Sequence, residues 1–344
     1  MRAVVLREVG GPDKLVLSPN TPNPVPAADE VLVRVRASAV CGRDLIDRRG
    51  GFPLMKLPTI LGHEFAGELE AVGDEAARAG FAPGDRVANL HRPACGECPR
   101  CVGGEELLCE RAHQSFGHTV DGAYAELVVA HHRALVKIPA PVPFEDASTL
   151  MCTAGVAYQA LASRARLVAG ETVVITGASG GVGTAAIQVA RHLGARVVAV
   201  TGSPAKAAAL AELGAHEVLV SPDGRFEDDV KTRLGGPVDV ALELTGSATF
   251  GSALKSLRRG GRLVVVGNID QAKVSIKLGA LILWSHTIAG SASCTRQDLE
   301  RVLDLAASGA LRAVIDRKLP LRYAAEAHAL LEARAVFGRV VLIP

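Results

Sequence analysis

The sequence predicts an α/β chain of two domains, a β-rich one followed by a doubly wound parallel sheet. Length is the first observation behind this: 344 residues leave room for about two domains at one per ~150 residues. The second is a period-two alternation of apolar and polar residues in the first part, broken repeatedly by Gly and Pro. The third is a change of texture near residue 170, where short apolar runs begin to alternate with helical stretches. Strands that alternate with helices form parallel sheets with right-handed crossovers.

In the first part, residues 3–6, 30–36 and 124–129 read as strands, and Pro19-Asn-Thr-Pro-Asn-Pro-Val-Pro26 as a surface connection. In the second, a strand at 171–176 leads into a helix at 182–193 and a strand at 196–201. The alternation continues as helix 204–213, strand 217–221, helix 226–234, strand 238–244, helix 248–258, strand 262–267 and a sixth strand at 287–290. Residues 299–344 carry a helix and mixed strands. The expected division is residues 1–155 for the first domain, completed by 296–344, with 156–295 forming the second.

Composition excludes several classes. Lys and Arg number 38 against 36 acids, a net of +2, with no basic block to attract nucleic acid or a membrane surface. The longest apolar runs, such as Ala280-Leu-Ile-Leu-Trp284, are far too short to span a bilayer. The N-terminus lacks the charged-then-apolar pattern of a signal peptide, so a cytoplasmic protein acting on a small molecule is the expectation. There are seven cysteines, four of them between Cys95 and Cys109. Without an export signal, that crowding favours metal ligation over disulfides.

The strand at 171–176 runs into Gly177-Ala-Ser-Gly-Gly-Val-Gly183, which opens a helix. A glycine pattern gains meaning from this context of strand, loop and helix. Gly180 allows close approach of backbone to a pyrophosphate and Gly183 allows close helix–strand packing. Ser179, Gly181 and Val182 lie where the helix N-terminus offers free N–H groups. Ala178 takes the place of the first glycine of the usual pattern, with Gly177 just ahead. A site selective for NAD carries an acid roughly 20 residues on, at the end of the second strand. Here that stretch is Thr201-Gly-Ser-Pro-Ala-Lys206, with no acid. Ser203 and Lys206 stand where a 2′-phosphate would lie, which favours NADPH over NADH. Thr245, Gly246, Gly267 and Asn268 end the fourth and fifth strands and are expected to line the cofactor.

Two sets of metal ligands are legible. Cys95, Cys98, Cys101 and Cys109 supply four thiolates, a closed tetrahedral set of the kind that holds a structural zinc. Cys41, His63 and Cys152 are scattered, but together form the Cys2His set of a catalytic zinc with an open position, which Glu64 could fill. Asp44 is suitably placed to orient His63 by a hydrogen bond. Cys294 has no partner motif and reads as a core cysteine. Zinc in such a site polarises a substrate oxygen, while the neighbouring carbon exchanges hydride with the nicotinamide.

The order Cys41, His63-Glu64, four-Cys lobe, Cys152 and glycine loop resembles the zinc alcohol dehydrogenases of the medium-chain superfamily, over essentially the whole chain. The resemblance implies a GroES-like β-barrel domain completed by the C-terminal tail around a Rossmann domain. It also implies two zinc ions per chain, held by the sets just named, and a homo-oligomer, dimer or tetramer. One position departs from that pattern. Alcohol dehydrogenases have Ser or Thr two residues past the first zinc Cys, and its hydroxyl relays the alcohol proton. This sequence has Arg43, which stays protonated and cannot accept that proton. Cys41-x-Arg43-Asp44, Met55-Lys-x-Pro-x-Ile-Leu-Gly-His63, the glycine loop, Leu278-Gly279 and Gly290-Ser-Ala-Ser293 look instead like the archaeal acryloyl-CoA reductase branch. The resemblance to that branch implies NADPH-dependent reduction of the C=C bond of an α,β-unsaturated carbonyl or enoyl thioester. The alternative is alcohol dehydrogenation, or aldehyde and ketone reduction. A reading of another class, a non-catalytic nucleotide-binding sensor, is disfavoured by the completeness of the zinc set. Phe52, Met55, Tyr158 and Trp284 are apolar candidates for a pocket wall.

Overall fold

In the computed structural model, which describes residues 1–51, 55–112, 114–268 and 272–344, the chain divides into two compact units. One is Met1–Cys152 with Ser293–Pro344, the other Thr153–Ala292. The strands in chain order are β1 (Ala3–Leu6), β2 (Leu15–Ser18), β3 (Glu30–Val40), β4 (Thr59–Ile60), β5 (Phe65–Val72), β6 (Arg86–Asn89), β7 (Leu127–His131) and β8 (Leu135–Lys137). They continue as β9 (Thr172–Ile175), β10 (Arg196–Thr201), β11 (Glu217–Val220), β12 (Val238–Glu243), β13 (Leu257–Val265), β14 (Thr287–Gly290), β15 (Ile315–Pro320) and β16 (Arg339–Ile343). The helices are α1 (Gly42–Arg48), α2 (Asp74–Arg78), α3 (Pro99–Val102), α4 (Phe144–Leu150), α5 (Val156–Tyr158), α6 (Gly181–His192), α7 (Ala207–Glu212), α8 (Glu227–Leu234), α9 (Ser247–Lys255), α10 (Leu278–Trp284), α11 (Arg296–Ala307) and α12 (Ala324–Glu332). No described helix is long and apolar enough to cross a membrane.

The first unit is built around β3. It pairs with β5, β7 and β16, all antiparallel, in a seven-stranded sheet ordered β15-β16-β3-β5-β6-β8 with β7 also on β3. Its alternation is the one seen in the sequence: Val31, Val33 and Val35 are buried, whereas Arg34 and Arg36 face solvent. Two shifts in its register with β5, at Leu32/Val33 and Val35/Ala37, bend the strand. Register also fixes the end of β3. Val40 sits opposite Val340 of β16, and Ser38 opposite Phe65 of β5. Cys41, the next residue, is thereby brought beside Arg339 on one flank and His63-Glu64 on the other.

The second unit is a six-stranded sheet, parallel throughout, in the order β11-β10-β9-β12-β13-β14. This is the order of doubly wound dinucleotide-binding sheets, whose direction of winding reverses between the first and fourth strands, here β9 and β12. Val173, Val174, Ile175, Val197, Val198, Val240 and Leu242 are fully buried, as expected for strands covered on both faces.

Two segments differ most from the sequence expectation, beside smaller shifts such as the strand expected at 124–129, which runs Leu127–His131. The fifth strand starts at Leu257, five residues early, and ends at Val265. Leu257 pairs with Val238 and Arg262 with Val240, so residues 258–261 bulge out of register, with Gly260 at φ 73°. That polar, Gly-containing bulge hides the strand from any search for an apolar run. The chain is also helical from Phe144 to Arg164, with wide turns over Met151–Gly155 and Gln159–Arg164, a stretch the sequence did not announce. Its Ala-rich, apolar composition carries no clean helical period.

Gly183 sets the approach of α6 to β9. A Cβ there would lie 2.6 Å from the backbone of Ala178, closer than packed atoms come. Gly183→Ala is expected to destabilise the second unit by about 1–3 kcal/mol, seen as a lower thermal midpoint in calorimetry. An unchanged midpoint would show that the loop moves aside freely.

Candidate active site

Cys41, His63, Glu64 and Cys152 converge in the first unit, with their ligating atoms all within 4.8 Å of one another. They come from three local devices. Cys41 is the N-cap of α1, at the end of β3. His63 and Glu64 immediately precede β5, on a turn where Gly62 has φ 96° and where a Cβ would meet the Tyr124 ring at 2.5 Å. Only glycine fits that position. Cys152 lies in the wide-turn segment Met151–Gly155, the kind of irregular helix that often marks functional positions. Asn89 braces the turn from beside it: its Oδ1 accepts from Phe65 N (2.7 Å) and its Nδ2 donates to the His63 carbonyl (2.8 Å).

Buried polar groups surround these four. Asp44 Oδ1 is 2.9 Å from His63 Nδ1, leaving Nε2 to face the cluster. Asp44 Oδ2 accepts from Cys41 N (2.9 Å) and from the Tyr124 hydroxyl (3.1 Å). The Tyr124 hydroxyl also lies 3.2 Å from His328 Nε2. Arg339 Nη2 donates to Glu64 Oε1 (3.0 Å) and to the Cys152 carbonyl (3.2 Å). Asp44, His63 and Glu64 are all 2 % exposed or less.

The titration of these groups reflects that crowding. The hydrogen bond from Cys152 holds the Cys41 thiol well below its ordinary value, with Arg339 and His63 adding to the effect against burial. Cys152 is pushed well above by the same bond and by burial. Burial drives the Glu64 carboxyl well up, partly offset by Arg339. His63 is raised well above its usual value despite burial, because Asp44 sits on its Nδ1. The donor set fits a metal cation: two sulfurs, 3.9 Å apart, and one imidazole nitrogen face a common point. Glu64 Oε2, buried there, has no hydrogen-bond partner among the described residues.

The second cluster, Cys95, Cys98, Cys101 and Cys109, also meets within 4.8 Å. The Cys98–Cys101 and Cys95–Cys101 sulfurs are 3.5 and 3.8 Å apart, too far for S–S bonds of ~2.05 Å. Backbone N–H groups of Cys98 and Glu97 point at Cys95 Sγ, and that of Cys95 at Cys109 Sγ, as thiolates require. Hydrogen bonds from the backbone lower Cys98 to about 6, whereas burial raises Cys101 to about 12. Cys294 is buried, its thiol donating to the Met151 carbonyl.

In the second unit the glycine loop Gly177–Gly183 joins β9 to α6. Gly180 is the N-cap, so Gly181, Val182 and Gly183 form the first turn, with Ser179 just before it. Ser203 and Lys206 bracket a short 3-10 turn directly after β10. Thr245-Gly246 follow β12, and Gly267-Asn268 follow β13. What ties the loops after β9 and β12 together is not legible in the sequence. Glu243, fully buried at the end of β12, accepts through Oε1 from Thr176 Oγ1 (3.0 Å), Thr245 N (2.8 Å), Gly246 N (3.0 Å) and Thr249 Oγ1 (2.7 Å). Also missed were Asp47, His91, His118, Tyr124, His328 and Arg339. An Arg at the head of the apolar strand Arg339–Ile343 is a readable sign of a buried ion pair, but only once the strand is known to be covered. Among the pocket candidates, Met55 packs against the core around Leu61 and Tyr124, Tyr158 is buried, and Trp284 is 47 % exposed on α10. Phe52 lies outside the described residues.

The sequence profile of alcohol dehydrogenase GroES-like domains matches residues 27–140, and that of zinc-binding dehydrogenases matches residues 181–308. An acryloyl-coenzyme A reductase of Metallosphaera sedula is 39% identical over 93% of this chain and 94% of its own length. The crystal structure of AibC superposes with a TM-score of 0.93 at 46% identity, covering 100% of this chain and 96% of that one. A cobalt- and zinc-bound thermostable alcohol dehydrogenase from Pyrobaculum aerophilum superposes at 0.89 with 30% identity, over 100% of this chain and 99% of that one.

His328 offers a handle on the stability of this site. Burial lowers its pKa from 6.5 to about 4. Above pH 6.5 it is neutral folded or unfolded. As pH falls from 6.5 toward 4, the unfolded chain binds a proton that the folded one does not, so stability drops across that window. The loss approaches about 3 kcal/mol, at 1.36 kcal/mol per unit. Denaturant titrations between pH 7 and 4 should show a shallower decline for His328→Gln than for the unmodified protein, and equal slopes would refute the assignment.

Proposed function

The chain belongs to the zinc-binding medium-chain dehydrogenase/reductase family, the zinc alcohol dehydrogenase superfamily, and on that premise we propose that it reduces the C=C bond of an enoyl thioester with NADPH. The protein is an oxidoreductase with a GroES-like domain and a Rossmann domain. The reading of its substrate rests on Arg43. A guanidinium paired with Asp47 (2.8 Å) stands where alcohol oxidation needs a hydroxyl to carry a proton away. The likeness to a reductase named for acryloyl-coenzyme A supports the same reading. Ser203, Lys206 and the missing acid after β10 support NADPH.

In this reading Cys41, His63 and Cys152 would hold the catalytic zinc, and Glu64 could serve as a further ligand when no substrate is present. Cys95, Cys98, Cys101 and Cys109 hold the structural one. When bound, zinc supplies a Lewis acid and the reduced nicotinamide a hydride. The chain's own part is to hold these groups still. Asp44 fixes the imidazole of His63, Arg339 anchors Glu64, and Glu243 orders the two loops that follow β9 and β12. Gly180 and the first turn of α6 receive the pyrophosphate.

NADPH oxidation is expected with crotonyl-CoA or acryloyl-CoA, at rates well above those with a panel of aldehydes and ketones. Turnover confined to aldehydes or ketones would establish the carbonyl-reducing alternative instead. Elemental analysis should return two zinc per chain in the unmodified protein, and one in either Cys101→Ser or Cys152→Ser. One zinc in the unmodified protein, unchanged in Cys101→Ser, would show that the four-cysteine lobe holds none.

A further inference from the structure

Behind His63 a line of buried hydrogen bonds runs to the C-terminal helix. His63 Nδ1 lies 2.9 Å from Asp44 Oδ1, and Asp44 Oδ2 lies 3.1 Å from the Tyr124 hydroxyl. That hydroxyl lies 3.2 Å from Nε2 of His328, on α12. All four residues are 2% exposed or less. Tyr124 and His328 belong to neither ligand set. A buried tyrosine ordinarily finds one partner for its hydroxyl; this one has two, and the first is the carboxyl that holds a metal ligand.

The direction of each bond follows from counting protons. A metal at His63 Nε2 leaves the imidazole proton on Nδ1, so His63 donates to Asp44. Cys41 N and the Tyr124 hydroxyl also meet that carboxyl, both at Oδ2. Three donors on one carboxylate make it an acceptor only. Tyr124 thus gives its single proton to Asp44, and its oxygen accepts from His328. Burial lowers the His328 pKa to about 4, so its ring carries one proton at neutral pH. His328 Nδ1 has no partner among the described residues. The proton therefore belongs on Nε2, where Tyr124 receives it, and every donor in the line points toward Asp44.

Tyr124 is itself closely held. Its amide donates to the Leu61 carbonyl at 3.0 Å, and its ring lies where a Cβ on Gly62 would come within 2.5 Å of Cδ1. The His328 ring meets it edge-on, with centroids 5.8 Å apart. We propose that Tyr124 and His328 are positioning residues for the metal at Cys41, His63 and Cys152: they fix the plane of the Asp44 carboxylate, and through it the aim of the His63 lone pair. This rests on the reading that those three residues hold zinc. A carboxylate that loses its partner at Oδ2 is free to turn about its Cβ–Cγ bond, and the imidazole it carries turns with it. Loss of such outer partners typically costs about 10–100-fold in metal affinity or activity. The C-terminal helix thereby takes part in setting how tightly the ion is held.

The test follows zinc release from the loaded protein into an excess of a chromogenic chelator. The phase missing in Cys152→Ser belongs to the cluster around Cys41, and the phase missing in Cys101→Ser to the four-cysteine lobe. Tyr124→Phe keeps the ring and removes only the hydroxyl. It should speed the first phase about 10-fold and leave the second unchanged. His328→Leu should speed the first phase by less, and His328→Gln, whose amide N–H replaces Nε2–H, should restore most of that loss. A spectroscopic signature separates positioning from general loosening. With cadmium in place of zinc, the cadmium NMR line of the two-sulfur site should move in Tyr124→Phe and in His328→Leu, while that of the four-sulfur site stays. Should Tyr124→Phe fail to fold, the two His328 variants decide by the same readouts. If both phases quicken together, or neither does, or the two-sulfur line stays in place, the positioning role is wrong and the zinc reading stands. If the unmodified protein shows no phase that Cys152→Ser removes, both fall.

Discussion

The first unit depends on the burial of ionisable groups around one point. Cys41, Asp44, His63, Glu64 and Arg339 lie within a sheet corner and are 8% exposed or less. An isolated buried charge is very unfavourable, and a buried pair is stable only when every member is hydrogen-bonded and oppositely matched. Here the matching is nearly complete. Asp44 serves a backbone amide, an imidazole and a phenol, and Arg339 ties Glu64 to the Cys152 carbonyl. The shortfall lies at Glu64 Oε2 and Arg339 Nε, which have no partner among the described residues. A cation at the point where the two sulfurs and the imidazole nitrogen meet would supply the partner that Glu64 Oε2 lacks. Removing either member of the Glu64–Arg339 pair would strand the other, a change usually worth about 3–5 kcal/mol.

The second unit solves a different problem with one carboxylate. Loops at the ends of β9 and β12 must keep their shape while a large, charged dinucleotide comes and goes. Glu243 collects two hydroxyls and two backbone N–H groups on a single oxygen. The turn at Gly246, with φ 119°, is held by its own amide as well as by glycine's freedom. Local rigidity of this kind reduces what a ligand must order on binding.

Much of this was legible in the sequence because it rests on short-range patterns. The alternation in residues 30–36, the glycine loop between strand and helix, and the close spacing of Cys95 to Cys109 each state their chemistry within a few residues. The order Cys41, His63, Cys152 was readable as a set, and the fold does gather it. What escaped is what long-range register decides. Arg339 is 275 residues from Glu64 along the chain, and only the pairing of β16 with β3 shows that it turns inward. Asp47 and His118 sit in no recognisable motif, so nothing in the sequence singles them out. The wide-turn helix around Cys152 carries no period to detect, and the bulge at residues 258–261 breaks the apolar run of β13.

The place of β16 has a consequence for how the protein is made. β3 emerges early from the ribosome, yet the neighbour that completes its sheet is translated some three hundred residues later. The same late segment carries His328, Glu332 and Arg339, which engage Tyr124, Arg48 and Glu64. The intervening unit is continuous in sequence, from Thr153 to Ala292, and can close on itself during synthesis, as contiguous domains generally do. The earlier one must wait, with Cys41 and Cys152 lacking the arginine that supports them. The corner where Cys41, His63, Glu64 and Cys152 meet is thereby completed only after β16 has been made and paired with β3.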